Sequence, residues 1–386
     1  MFIRINLYFF IFAILLIGTS CSKRNNSLKN DYTTVSVDVE ENSINLSELF
    51  DNIEPVYLET NDSSLIGDNP KISFTEKHIF IRSENTIKIF DFEGKFLKSI
   101  DKRGEGSGEY NNISDFYINK KLERIEILDK GQKKILNYTY DGEYLGNVSL
   151  GFRGTKIVRD AENSLYVYCG YVRDENNIYK INVIDDKDRH SFYEIDEKKS
   201  QYLHIMNQIY FHKNNEDDIL FFEPFNDTIY TLHSHELKPK YVISYNGRNV
   251  PESFYTNNDF SDVFEFFQEY NKHDYVNSTY NVIETDNKLL FSCRKGSEKY
   301  FVVYDKTDKT AHSYNRIVDD LFSDGLEIPF QSDEFIFFAE NNTTLFLVQP
   351  YWLMEHKDKI VSEKLKLILQ DLDEEDNPIL MVGRMK

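Results

Sequence analysis

Few residues in this 386-residue chain have the type and spacing to do chemistry. Gly104, Gly106 and Gly108 punctuate a loop that invites comparison with a phosphate cradle. A dinucleotide fingerprint needs G-x-G-x-x-G opening a helix, and a P-loop needs G-K-[ST]; the segment has neither and runs on into a strand pattern. It reads as a crossover between sheets, and Arg103, Glu105, Glu109 and Tyr110 are the side chains it could offer to a partner on a binding face. His233 and His235 lie two apart on a strand pattern, so both would point to one side. A tetrahedral metal site needs three or four ligands, and no third stands nearby, so neither a metal nor another cofactor is expected. Serines and carboxylates abound without a G-x-S-x-G elbow, and nothing marks a hydrolase nucleophile.

The cysteines carry the remaining chemistry. Cys21 follows Gly18, Thr19 and Ser20, at the end of an apolar run from Leu7 to Ile17 preceded by Arg4. Those eleven apolar residues are too few for a bilayer, which needs about 20, and suit the core of a secretory signal. Small residues directly before a cysteine resemble the bacterial lipobox, in which cleavage exposes a cysteine that becomes lipidated; an ordinary cleaved signal is the alternative. Residues 1–20 are thus read as a lipoprotein signal peptide, Cys21 as the lipid attachment site, and residues 21–34 as a polar, coreless tether. Lys23 and Arg24 stand where some surface-exported lipoproteins carry acids, which favours the periplasmic face of the outer membrane over the cell surface. Cys169 and Cys293 occupy equivalent places in non-neighbouring repeats, beyond the roughly 7 Å Cα limit for a disulfide, and are expected as buried free thiols.

What must position these residues is a repeat. Apolar strands open at Ile79, Ile125, Leu165, Ile219, Leu289 and Phe335, each followed by a second β-branched or aromatic run such as Thr86–Phe90 or Lys134–Tyr138. Glu93-Gly94 and Asp141-Gly142 supply hairpin turns. Six units of about 45 residues, each one small antiparallel sheet, predict a six-bladed propeller of four-stranded blades over residues 35–386. An open ring would expose sheet edges, so residues 53–59 are expected to pair with the last blade beside the C-terminal strand at Pro378 to Val382. Two insertions interrupt the repeat, near 251–274 and 354–376; Phe260 to Tyr270 in the first, and Ile360, Leu365, Ile368, Leu369 and Leu372 in the second, suggest short helices.

Phe90 to Ile100, the Arg103-to-Tyr110 loop and Ile113 to Asp129 together resemble the NHL-like six-bladed β-propeller lipoproteins of bacteria. In that family a strand ends in a Gly-x-Gly-x-Gly-Glu-Tyr loop leading to the innermost strand of the next blade; Ser107 stands here where Pro is common. The resemblance implies a fold and an envelope location, and no activity, because propellers host many functions.

Composition narrows the function classes. Acidic residues outnumber basic ones 65 to 45, a net charge of −20 that becomes −21 once Arg4 is cleaved away, which disfavours nucleic acid as a partner. The 30 Phe, 26 Tyr and single Trp are expected mainly as packing between blades, with Trp352 in the core. The reading is a membrane-tethered, non-enzymatic binding or scaffold module for a protein or glycan partner; the alternative is an envelope lyase or hydrolase with its site at the channel mouth.

Overall fold

In a computed structural model, residues 31–185, 188–203, 211–214, 216–233, 236–331, 337–340 and 342–386 are described. Cys21 and the signal and tether up to Asn30 lie outside them, as does His235.

The strand pattern closes into sheets because its β-branched and aromatic residues alternate against neighbours on both faces. The first sheet runs outward from Lys71–Phe74 through His78–Ser83 and Thr86–Asp91 to Phe96–Ile100, all antiparallel. Gly94 and Gly142 turn their hairpins at φ of +85° and +84°, where a Cβ would be strained. Equivalent sheets begin with the inner strands Asp115–Asn119, Lys156–Arg159, Phe211–Lys213, Val276–Glu284 and Phe338–Glu340. The architecture is an all-β propeller of four-stranded antiparallel blades with a few short helices.

The expected count of six sheets needs correction, because the described strands make seven. The additional one is small: Ser43–Asn45 lies parallel to Arg316–Asp319, which pairs in turn with Leu326–Glu327. Such short strands, joined across almost the whole chain, leave no repeat for the sequence to show. Thr33 and Thr34 also need moving, from the tether into a strand, Thr33–Ser36, that extends the fourth sheet parallel to Glu236–Ser244. Val35, Val37 and Val39 are buried between exposed neighbours, the period-two pattern of a half-buried strand. Ser313 Oγ holds this strap by donating to the carbonyls of Asp38 or Glu40, both at 3.0 Å, and accepting from Glu40 N at 2.8 Å. Two sheet edges are thereby covered.

Closure uses both ends of the chain. Phe50–Val56 pairs antiparallel with Ile379–Met385, Leu380 opposite Val56 and Gly383 opposite Ile53, so the closing strand is found three residues earlier than expected. The first insertion holds helices Glu252–Asn257 and Val263–Tyr270, whose Phe254, Phe260 and Phe266 pack with Tyr202 into an aromatic cluster of their own. In the second, helix Pro350–Glu355 precedes helix Glu363–Ile368, with Leu365 buried and Trp352 packed partly buried against the largest core cluster. Cys169 and Cys293 are free and buried.

Candidate functional site

The inner strands leave a cavity of about 1110 Å³, walled by residues of all six strands from Lys71–Phe74 to Phe338–Glu340. This exceeds the 300–1,000 Å³ common for small-molecule sites by only about a tenth. Phe74, Phe116, Phe211 and Phe337 give it apolar wall; seven Lys or Arg and six Asp or Glu also line it, a cationic excess inside a chain of net charge −20.

At one end, three successive inner strands open on Lys71, Asp115 and Lys156. Lys71 Nζ donates to Asp115 Oδ1 at 2.6 Å and to the Phe116 carbonyl at 2.8 Å. Asp115 Oδ2 accepts the Ile157 amide at 3.0 Å. Burial works to raise the Asp115 pKa, yet the charges of Lys71 and Lys156 and these bonds hold it below the usual carboxylate range. Lys156 lies in the opposite situation: burial drives its ammonium down to about 8, against the attraction of Asp115 and with the repulsion of Lys71 and Arg82.

Behind the wall residues Asn119 and Arg159, Glu126 is fully committed. Arg159 Nε reaches its two oxygens at 2.9 and 2.8 Å, Arg124 sits at 2.8 Å, and Asn119 Nδ2 donates to it at 2.9 Å. Arg159 Nη1 also donates to the Asn163 carbonyl at 2.6 Å, so this group ties the second sheet to the third beside the cavity. At the far end, where inner strands turn into their hairpins, Lys120 pairs with Glu340. That ion pair joins the second sheet to the one formed by both chain ends, passing the first, and the Lys120 ammonium stands 5.6 Å from the Phe74 ring centre. Tyr140 stacks edgewise on His78 beside it, ring centres 6.0 Å apart. His212 is buried in the wall, its Nε2 3.5 Å from the Glu284 carbonyl, and burial pushes it down to about 4, leaving it neutral at neutral pH.

The loop that the sequence singled out stands apart from this cavity: none of Arg103, Glu105, Glu109 and Tyr110 lines it. The loop is a crossover from Phe96–Ile100 to Asp115–Asn119, as its lack of a helix implied. Tyr110 needs correction as a binding-face residue, because it is fully buried, and its hydroxyl lies 2.9 Å from the Asn85 carbonyl and accepts Lys102 N at 3.1 Å. Glu109 turns inward and accepts Gly106 N at 2.9 Å. Arg103 and Glu105 are exposed, Arg103 paired with Asp101 at 2.9 Å. Among the described residues no group of three His, Cys, Asp or Glu is placed to hold a metal. Sequence reasoning missed Lys71, Asp115 and Lys156; the signal available was a charged residue opening three successive inner strands.

Comparison with known proteins fits this architecture. The sequence profile of a domain of unknown function, DUF4934, matches residues 33–384. The chain belongs to the DUF4934 family. No curated protein matches it. Among solved structures, a Bacteroides fragilis NCTC 9343 protein called "Putative exported protein" superposes with a TM-score of 0.72 at 21% identity, over 92% of this chain and 100% of that one. A member of the DUF4221 family from Bacteroides vulgatus ATCC 8482 gives 0.47 at 10% identity, over 87% and 98%. Virginiamycin B lyase from Staphylococcus aureus gives 0.42 at 12% identity, over 86% and 99%. At 21% identity the likeness to the Bacteroides fragilis protein is one of fold.

Proposed function

We propose that this DUF4934 chain is an exported, lipid-anchored binding protein that seats a small ligand in its channel without transforming it. The observation that carries the reading is the cavity itself: about 1110 Å³, aromatic along its walls and charged at both ends. Aromatic surface supplies affinity and a few fixed charges supply orientation. Asp115, Arg159 and Glu340 line the cavity and are each held in an ion pair, which suits them to holding a ligand more than to moving protons. The apolar run before Cys21 supports export, and the lipobox-like residues support a lipid on Cys21, which would fix the propeller to the envelope.

The test is to purify the mature chain from its native envelope in mild detergent, denature it, and identify released small molecules by mass spectrometry. A compound recovered near one per chain supports the reading, and reproducible absence of any compound overturns it. The N-terminal peptide from the same sample should begin at Cys21 and carry acyl mass; an unmodified Cys21 would refute the anchor.

A further inference from the structure

We propose that the end of the channel where Lys71, Asp115 and Lys156 begin their strands is a seat for the oxyanion group, carboxylate or phosphate, of a small ligand, with Lys156 as the residue that contacts it. This names the ligand class of the channel and rests on the binding reading above.

The argument is one of unmet charge. Lys71 has two acceptors, Asp115 Oδ1 at 2.6 Å and the Phe116 carbonyl at 2.8 Å. The second oxygen of Asp115 is taken by the Ile157 amide. Lys156 lines the same cavity, and its ammonium makes no hydrogen bond among the described residues. Arg82 lies directly across the strand pair from Lys71; its Nη2 donates to the Asn69 carbonyl at 3.1 Å, while its Nε is buried with no partner. Lys71 and Lys156 therefore share the one carboxylate of Asp115, and Lys156 and the neighbouring Arg82 keep unused donors.

Lys156 is half-buried, so its ammonium opens on the cavity while part of its hydration is lost, and such a group gains from an acceptor. An incoming oxyanion supplies the missing acceptor and the missing charge together. The chain as a whole carries a net charge of −20, which disfavours anions over much of its surface, whereas cations outnumber acids along this cavity. A carboxylate or phosphate on Lys156 would leave the rest of its ligand inside the cavity.

The experiment uses the full mature chain in detergent with its lysines reductively ¹³C-methylated, so that each amine reports its own titration by NMR. The Lys156 signal is assigned as the one missing from Lys156→Arg. Sodium phosphate and sodium acetate are the probes, and sodium chloride at equal ionic strength is the control. The expected result is an upward move of the Lys156 midpoint by about one pH unit or more with phosphate, acetate or both, as when an opposite charge arrives within ~4–6 Å, and none with chloride. A response to acetate alone identifies a carboxylate seat, and to phosphate alone a phosphate seat. A Lys156 signal that titrates identically in all three salts overturns the proposal, as does an equal response to chloride. Lys156→Met, checked for unchanged thermal unfolding, separates this from the broader reading. If the channel compound co-purifies with it as with wild type, channel binding stands and the oxyanion seat falls; loss of the compound supports the seat.

Discussion

Replacing Glu284 by Gln tests whether buried charge between sheets holds this propeller together. Glu284 ends the inner strand of the fifth sheet and is 2% exposed. Lys240, from the fourth sheet, and Lys306 each reach it at 2.8 Å; Asn214 Nδ2 and the Tyr241 hydroxyl donate to it as well. Burial alone would raise its pKa, but these bonds prevail and hold it at about 2, against an ordinary 4.5. At about 1.4 kcal/mol per pH unit, that difference is worth about 3 kcal/mol at pH 7. A depressed carboxylate pKa stabilises the fold above the unfolded value of 4.5, and the stabilisation is lost as pH falls from there through about 2. About 1 kcal/mol should remain at pH 3. The amide keeps the shape and the Tyr241 bond, while Lys240 and Lys306, each 25% exposed, can turn to water, so the loss should sit at the low end of the ~3–5 kcal/mol for a broken buried pair. The assay is urea unfolding of wild type and Glu284→Gln at pH 7 and pH 3, by fluorescence and circular dichroism, with coincident transitions required. A deficit below about 1 kcal/mol at pH 7, or an equal deficit at both pH values, would refute the electrostatic account.

Tyr110→Phe should lower stability by about 1–2 kcal/mol in the same assay, because the hydroxyl is buried between backbone groups of Asn85, Ile100 and Lys102; no loss would mean that the hydroxyl is free for a partner. Gly94→Ala should cost about 3 kcal/mol, since its φ is +85° and an added Cβ would sit 1.9 Å from the Tyr57 carbonyl oxygen. Gly247→Ala, at φ +87° with nothing within 4 Å, should cost only the ~1–2 kcal/mol of backbone strain; equal losses at the two sites would remove steric conflict as the cause. A thiol reagent at pH 8 should label neither Cys169 nor Cys293 in the folded chain, because burial pushes both thiols up to about 12, and both after denaturation. Labelling of either in the native state, or a Cys169–Cys293 disulfide by mass spectrometry, would contradict the packing.

The fold was legible wherever a residue's environment repeats. Strand runs such as Ile125 to Leu128 recur because each sheet buries the same two faces, and the Gly94 and Gly142 turns recur because each hairpin needs positive φ. The runs at Ile79, Ile125, Leu165, Ile219 and Leu289 are second strands, though; the inner strands before them, such as Lys71–Phe74 and Phe211–Lys213, are more polar. That polarity is what hid the candidate site, because an inner edge facing a channel carries lysines and carboxylates that read as loop. The seventh sheet was hidden for another reason: Ser43–Asn45 and Leu326–Glu327 are too short to show a period. The aromatic excess divides between the sheets and the Phe254, Phe260 and Phe266 cluster of the first insertion, a share that strand periodicity could not assign.

One rule links stability to the candidate site. At successive junctions between sheets the chain buries an acid and answers it with cations: Asp115 with Lys71, Glu126 with Arg124 and Arg159, Glu223 with Lys180, and Glu284 with Lys240 and Lys306. At Glu126, Glu223 and Glu284 every cation named lies within 2.9 Å of a carboxylate oxygen, and such groups specify how neighbouring sheets dock. At Asp115 the pattern breaks, because Lys156 is brought into the same environment and given no acceptor. A half-buried charge left without an acceptor returns nothing to the structure, and departures of that kind concentrate where function is selected over stability. The pairing scheme that builds the walls thus points to a place where a partner is missing, and its missing member has the charge of an anion.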